Sequence, residues 1–169
     1  IYIFYGFRGG GIDYFTHRGM GGNPDLWDGT HRVEESGYLT DLLGDRALTT
    51  IEHLASGPAP FFLSLHFSAP HWPWEDERSE AEARRLSSLE DPLALLHLDG
   101  GSMQIYAGMV RRMDDLIGRV LEQLDRLGIA DNTIVVFTSD NGGERFSDNG
   151  PFTGVKTELL EGGLRVPAI

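Results

Sequence analysis

The chain has 169 residues, enough for one sizeable core, and its 40% hydrophobic and 24% charged residues are those of an ordinary globular protein. Lys and Arg number 14 against 26 Asp and Glu, and the formal net charge of -12 excludes the broadly basic surface that nucleic-acid backbones select. No apolar run approaches the roughly 20 residues of a membrane helix, and the lack of cysteine excludes disulfides, thiolate zinc sites and a cysteine nucleophile among these residues.

Residues 1–28 are rich in glycine and aromatics without a helical period, and read as a long ordered loop. The triplet Gly9, Gly10 and Gly11 follows no clear strand and opens no helix, so it is turning backbone rather than a dinucleotide fingerprint. Leu39, Leu42, Leu43, Ala47, Ile51 and Leu54 recur at steps of three and four, which predicts an amphipathic helix over residues 38–54 with Ser36 or Thr40 as its cap. Gly57, Pro58 and Pro60 end it, and the apolar run 61–67 predicts a strand buried on both faces, with His66 packed in the core. Residues 75–91 mix acids, arginines and alanines with no apolar face, which predicts a solvated helix or excursion.

A second amphipathic helix is predicted between Tyr106 and Leu127, with Gly128 placed to end it in the left-handed conformation. Asp131 and Asn132 make a turn into the β-branched strand 133–138, and residues 165–169 read as the start of a further strand. Alternating helix and strand implies an α/β fold, and no repeat or second domain boundary interrupts residues 1–169. With Ile1 carrying neither an initiator Met nor a leader, both ends read as cuts.

In open parallel sheets ligands bind beyond the carboxyl ends of the strands, and both predicted strands end in polar signatures. The first leads into Ala69, Pro70, His71, Trp72 and Pro73, where two prolines restrict the backbone around the imidazole. A histidine so held suits a positioned acid or base, although a loop histidine is also an ordinary surface residue. The second leads into Asp140, Asn141, Gly142 and Gly143, which is a common turn and equally a pair of hard oxygen donors suited to calcium or magnesium. Lys156 reads on its own as a solvated loop lysine, but an acidic chain that handles an anion needs a local cation or metal. His17, His31, His53 and His97 carry no comparable signal.

Taken in order, FYGFRGGGIDYFTH, ESGYLTDLLGDRALTTIEHL, PFFLSLHFSAPHWP, the segment ending in IVVFTSDNGG, and GPFTGVKTELLEGGLRVPAI resemble the sulfatase family of the alkaline phosphatase superfamily. The resemblance implies a mixed, mostly parallel sheet sandwiched by helices, of which residues 1–169 would be the central part, incomplete at both ends. It implies hydrolysis of aryl or carbohydrate sulfate esters with calcium, magnesium being the weaker alternative. The nucleophile would be a hydrated formylglycine from a C/S-x-P-S-R motif expected upstream, since no such motif occurs here.

Position by position, the resemblance makes Asp140 and Asn141 late calcium ligands. It makes His71 a sulfate contact that helps protonate the leaving alcohol, and Lys156 the cation on a sulfate oxygen. The family often has Gly-Gly-Lys-Gly where this chain has Gly154, Val155, Lys156 and Thr157, and residues 145–149 carry no role that the resemblance assigns. It implies a small-molecule or glycan sulfate as partner, with no nucleic acid and no membrane segment, and a secreted, periplasmic or lysosomal setting. The competing readings are a phosphodiesterase or phosphonate hydrolase of the same superfamily, and a binding relative without the nucleophile.

Overall fold

The computed structural model describes residues 2–89, 91, 94 and 100–169, so His97 lies outside the described residues. It divides into two compact units, residues 1–130 and 131–169.

The first unit opens on a small antiparallel sheet. Strands β1 (Tyr5–Gly6), β2 (Trp27–Asp28) and β3 (His31–Arg32) lie in that order, pairing Gly6 with Trp27 and Trp27 with Arg32. The predicted loop is therefore closed at its base, and its interior is folded inward: Ile12, Tyr14, Phe15 and Leu26 are core residues. Gly11 is one reason for its glycine content, because a Cβ there would sit 3.2 Å from the Trp72 ring.

Helix α1 (Leu39–Ala55) buries Leu39, Leu43, Ala47 and Ile51, the stripe its period predicts. Neither expected cap is used. Tyr38 is the N-cap residue and makes no side-chain cap bond, while the Leu39 amide donates instead to the Tyr14 carbonyl at 2.8 Å. Helix α3 (Met103–Arg126) is capped by Ser102, whose Oγ accepts from the Ile105 amide at 3.2 Å, and it ends at Gly128 with φ of +67°, as expected. The two helices pack where Leu116, fully buried, lies over Gly44; a Cβ at residue 44 would sit 2.7 Å from Leu116 Cδ2. Only a residue without a side chain lets the helices approach this closely.

The charged stretch departs from its prediction. Helix α2 (Glu80–Ser87) has the expected surface ion pairs, Arg84 to Glu80 at 2.7 Å and Arg85 to Glu82 at 2.6 Å, but Ala83 and Leu86 form a buried stripe. Just before it, Trp74, Glu75 and Asp76 are all buried.

The segment 61–67 runs without a ladder partner among the described residues, and half-buried and exposed side chains alternate along it. Phe62 is 91% exposed, and His66 is exposed with its Nε2 2.8 Å from Ser64 Oγ, so neither the two-faced burial nor the core placement of His66 holds within this chain. Burial on both faces needs covering layers and paired neighbours, and the described residues supply neither.

In the second unit residues 133–137 likewise lack a flanking ladder, and Ile134 is 93% exposed. The run is paired only at its end: Phe137 and Ile169 exchange amide–carbonyl bonds at 2.9 and 3.0 Å, beside an antiparallel bridge from Thr138 to Ala168. Short helix α4 (Glu161–Leu164) completes the unit and buries Gly162 and Gly163. No helix is long and apolar enough to cross a membrane among the described residues.

Candidate functional site

In the first unit His71 is half-buried and held by its backbone and by its ring. Its amide donates to the Ser68 carbonyl at 2.8 Å, and its own carbonyl accepts from the Tyr14 hydroxyl at 2.9 Å. Nδ1 lies 2.6 Å from the Trp72 carbonyl, which can only accept, so Nδ1 carries the proton in that contact. The Trp72 ring leans on the imidazole with centroids 4.5 Å apart.

Behind this loop lies a buried polar layer that the sequence pattern hides. Tyr14 donates its amide to Glu75 Oε2 at 3.1 Å, and the Tyr38 hydroxyl donates to the Glu75 carbonyl at 2.7 Å. Burial, reinforced by the neighbouring Asp13 carboxylate, pushes the Glu75 carboxyl up from 4.5 to about 9. Burial also lowers the pKa of His17. Asp76 is held below the usual carboxylate range: burial alone would raise it, but the bonds from Arg78 and Ser79 outweigh that cost.

In the second unit the Asp-Asn-Gly-Gly turn and the lysine loop are fastened to one another. The Lys156 amide donates to the Gly143 carbonyl at 3.1 Å, and the Gly142 amide donates to the Gly163 carbonyl at 2.9 Å. Asn149, to which sequence reading gave no role, joins the two. Its Oδ1 accepts from the Gly143 amide at 2.9 Å, and its Nδ2 donates to the carbonyls of Gly143 at 2.9 Å and Gly154 at 3.1 Å. An amide is the one short side chain that can both accept and donate in this way. Its position just before GPFTGVK gave no hint of that, because the three backbone groups converge only in the fold.

Asp140 is exposed, and its carboxylate makes no hydrogen bond or ion pair with another described residue. Asn141 donates Nδ2 to the Gly142 carbonyl at 3.2 Å, and its Oδ1 accepts no hydrogen bond among the described residues. The two residues thus present hard oxygens with no competing partner, a donor set of the kind calcium prefers. Two such donors fall short of the roughly six to eight oxygens that calcium takes, and no cluster of three or more His, Asp or Glu side chains is gathered for a metal among the described residues. Lys156 is half-buried.

Thr157 follows Lys156 with φ of +76°, the left-handed region where a β-branched residue is strained. A glycine at this place would carry no such strain. Replacing Thr157 with Gly is expected to stabilise the protein by about 1 kcal/mol, read as a rise in the denaturant midpoint at unchanged slope.

The sulfatase family model matches residues 4–169. The uncharacterized sulfatase YdeN of Escherichia coli K12 is 29% identical over 97% of this chain and 27% of its own length. The N-acetylgalactosamine-6-sulfatase of Mus musculus is 35% identical over 78% of this chain and 23% of its own length. A crystal structure of Ps i-CgsB in complex with k-i-k-neocarrahexaose superposes with a TM-score of 0.77 at 31% identity, covering 98% of this chain and 38% of that one. The chain therefore spans about a quarter of these curated relatives. That likeness places the described elements within an α/β fold of the alkaline phosphatase type, whose sheet this chain supplies only in part. A match over residues 4–169 takes in every strand and helix described above: the chain belongs to the sulfatase family, a family of sulfuric ester hydrolases.

Proposed function

We propose that the protein containing these residues hydrolyses sulfate esters of a carbohydrate or aryl alcohol, and that residues 1–169 form the central part of its catalytic domain. The observation that carries this reading is the fastening of Lys156 to Gly143 beside Asp140 and Asn141, within a chain that matches the sulfatase family over residues 4–169. A carbohydrate sulfate is supported by the amino sugar in the mouse relative's name and by the oligosaccharide in the Ps i-CgsB complex.

Asp140 and Asn141 would hold a calcium ion, magnesium being the weaker alternative, together with ligands from elsewhere in the protein. Calcium, when bound, supplies positive charge that polarises the sulfate and offsets the repulsion of a chain with net charge -12. Lys156 places a second cation against a sulfate oxygen as charge builds there. His71, its ring oriented by the Nδ1–H bond to the Trp72 carbonyl, would contact the sulfate ester and help protonate the departing alcohol. The attacking group, a hydrated formylglycine, would come from outside these residues, which contain no cysteine and no S-x-P-S-R sequence.

The test is sulfate release by the intact protein from an aryl sulfate and from a sulfated oligosaccharide, with and without a calcium chelator. Release that chelation stops and added calcium restores is expected. Hydrolysis of phosphate diesters in its place would favour the neighbouring phosphodiesterase reading, and ester binding without turnover the non-catalytic one.

A further inference from the structure

We propose that Asp13 and Glu75 share one proton across a buried carboxyl–carboxylate hydrogen bond, and that this pair positions the loop carrying His71. Glu75 is 0% exposed and Asp13 1%. Among the described residues Asp13 Oδ2 and Glu75 Oε1 are both buried without a donor, and the two carboxyl groups act directly on each other. Two carboxylates so placed would each be an unpaired buried charge repelling the other. A single proton between them removes one charge and satisfies both orphaned oxygens at once.

The remaining oxygens decide which residue carries the proton. Asp13 Oδ1 accepts from the Phe15 amide at 3.0 Å, the Thr16 amide at 2.6 Å and the Thr16 hydroxyl at 2.8 Å, three donors that favour a charged carboxylate. Glu75 Oε2 has the Tyr14 amide alone, so Glu75 is the neutral partner and its O–H donates to Asp13. The other titratable groups acting on Glu75 are Tyr14, Tyr38 and Glu82, while Asp13 acts on His17. None is a cation that could replace the proton: burial raises both tyrosines and lowers His17, and Arg78 is engaged with Asp76.

The pair reaches His71 through two bonds. Glu75 Oε2 holds the Tyr14 amide, and the Tyr14 hydroxyl holds the His71 carbonyl. Ionising Glu75 sets two negative charges against each other where residues 13–16 meet residues 74–76, and strains that register. Its carboxyl is raised from 4.5 to about 9, so the native state keeps a proton that the unfolded chain gives up over this range. The stabilisation is complete below pH 4.5 and is lost as pH rises towards about 9. The pair bears on catalysis only through the role proposed for His71, but its own readouts stand whether or not sulfate esters are turned over.

The experiment is pH-difference infrared spectroscopy of the intact protein, paired with NMR of the His71 ring. A protonated-carboxyl C=O band is expected at neutral pH, bleaching with a midpoint near 9. It should be absent in Glu75→Gln, whose amide can still donate to Asp13 and whose fold should survive. In Asp13→Asn the new amide faces Glu75 and the midpoint should fall by about two pH units or more. The His71 resonances should shift with the same midpoint in the wild type and not in Glu75→Gln. If no such band appears, or if it persists in Glu75→Gln, the shared proton is wrong. Should Glu75→Gln fail to fold, the wild-type titration decides, and a midpoint in the ordinary carboxylate range overturns the pair. Unmoved His71 resonances across the transition would overturn its positioning role.

Discussion

Asp140→Ala in the intact protein is expected to cut sulfate-ester hydrolysis by at least about a thousandfold and to remove its calcium dependence in the same step. The expectation follows from where the carboxylate sits. It has no hydrogen bond or ion pair to another described residue, so its removal breaks no contact within the unit, and it neighbours Asn141, the other proposed oxygen donor. A loss of activity without a loss of fold is therefore predicted, with the circular dichroism spectrum and denaturant midpoint close to wild type. Asp131→Ala, in the turn before residues 133–138, serves as a control that should leave turnover intact. Wild-type activity in Asp140→Ala, still sensitive to chelation, would remove Asp140 from the metal site. A large drop in the denaturant midpoint would instead give the residue a structural role.

The second large effect is structural. Gly142→Ala is expected to destabilise the protein by about 3 kcal/mol or more, because a Cβ at residue 142 would collide with the Gly162 carbonyl oxygen and lie 2.8 Å from its carbon. Gly162 is matched in the same way, since a Cβ there would collide with the Gly154 carbonyl and lie 2.8 Å from the Thr153 oxygen. Backbone packed directly on backbone has no flexible side chain to yield, so the strain must move the chain itself. The moved chain is the one that seats Lys156 on Gly143, and turnover should fall together with stability. Gly118→Ala, in helix α3 where a Cβ meets nothing within 4 Å, should be neutral or slightly stabilising. Equal midpoints for Gly142→Ala and wild type would show that the turn and the 161–164 helix do not need this approach.

These two sites differ in how far they could be read from the sequence. Helices α1 and α3 were legible because an apolar residue every third or fourth position is a local statement of which face will be covered. The strand-like runs 61–67 and 133–138 were legible as extended chain but not as buried sheet. Covering Phe62 or Ile134 takes partners that the described residues do not include, and residue type cannot say where those partners lie. The stretch 75–91 misled for a related reason. Its charge count suggested solvent, while Ala83 and Leu86 bury one stripe of a helix and Glu75 and Asp76 lie inside.

The sequence by itself determined the family, the helical stripes and the short motifs around His71, Asp140, Asn141 and Lys156, because each is written in neighbouring residues. Only the tertiary structure decided what holds those motifs. Asn149 became the joint between the Asp-Asn-Gly-Gly turn and the lysine loop by meeting three backbone groups from two segments. The glycines Gly142 and Gly162 became close contacts, where the sequence offered only turns. Asp13 and Glu75, 62 positions apart, became a buried pair because the 13–17 turn and the segment after the His71 loop fold against each other. Hydrogen bonding, close packing and the charge state of a buried acid all depend on distances across space, and those are set by the packing of segments far apart in the chain.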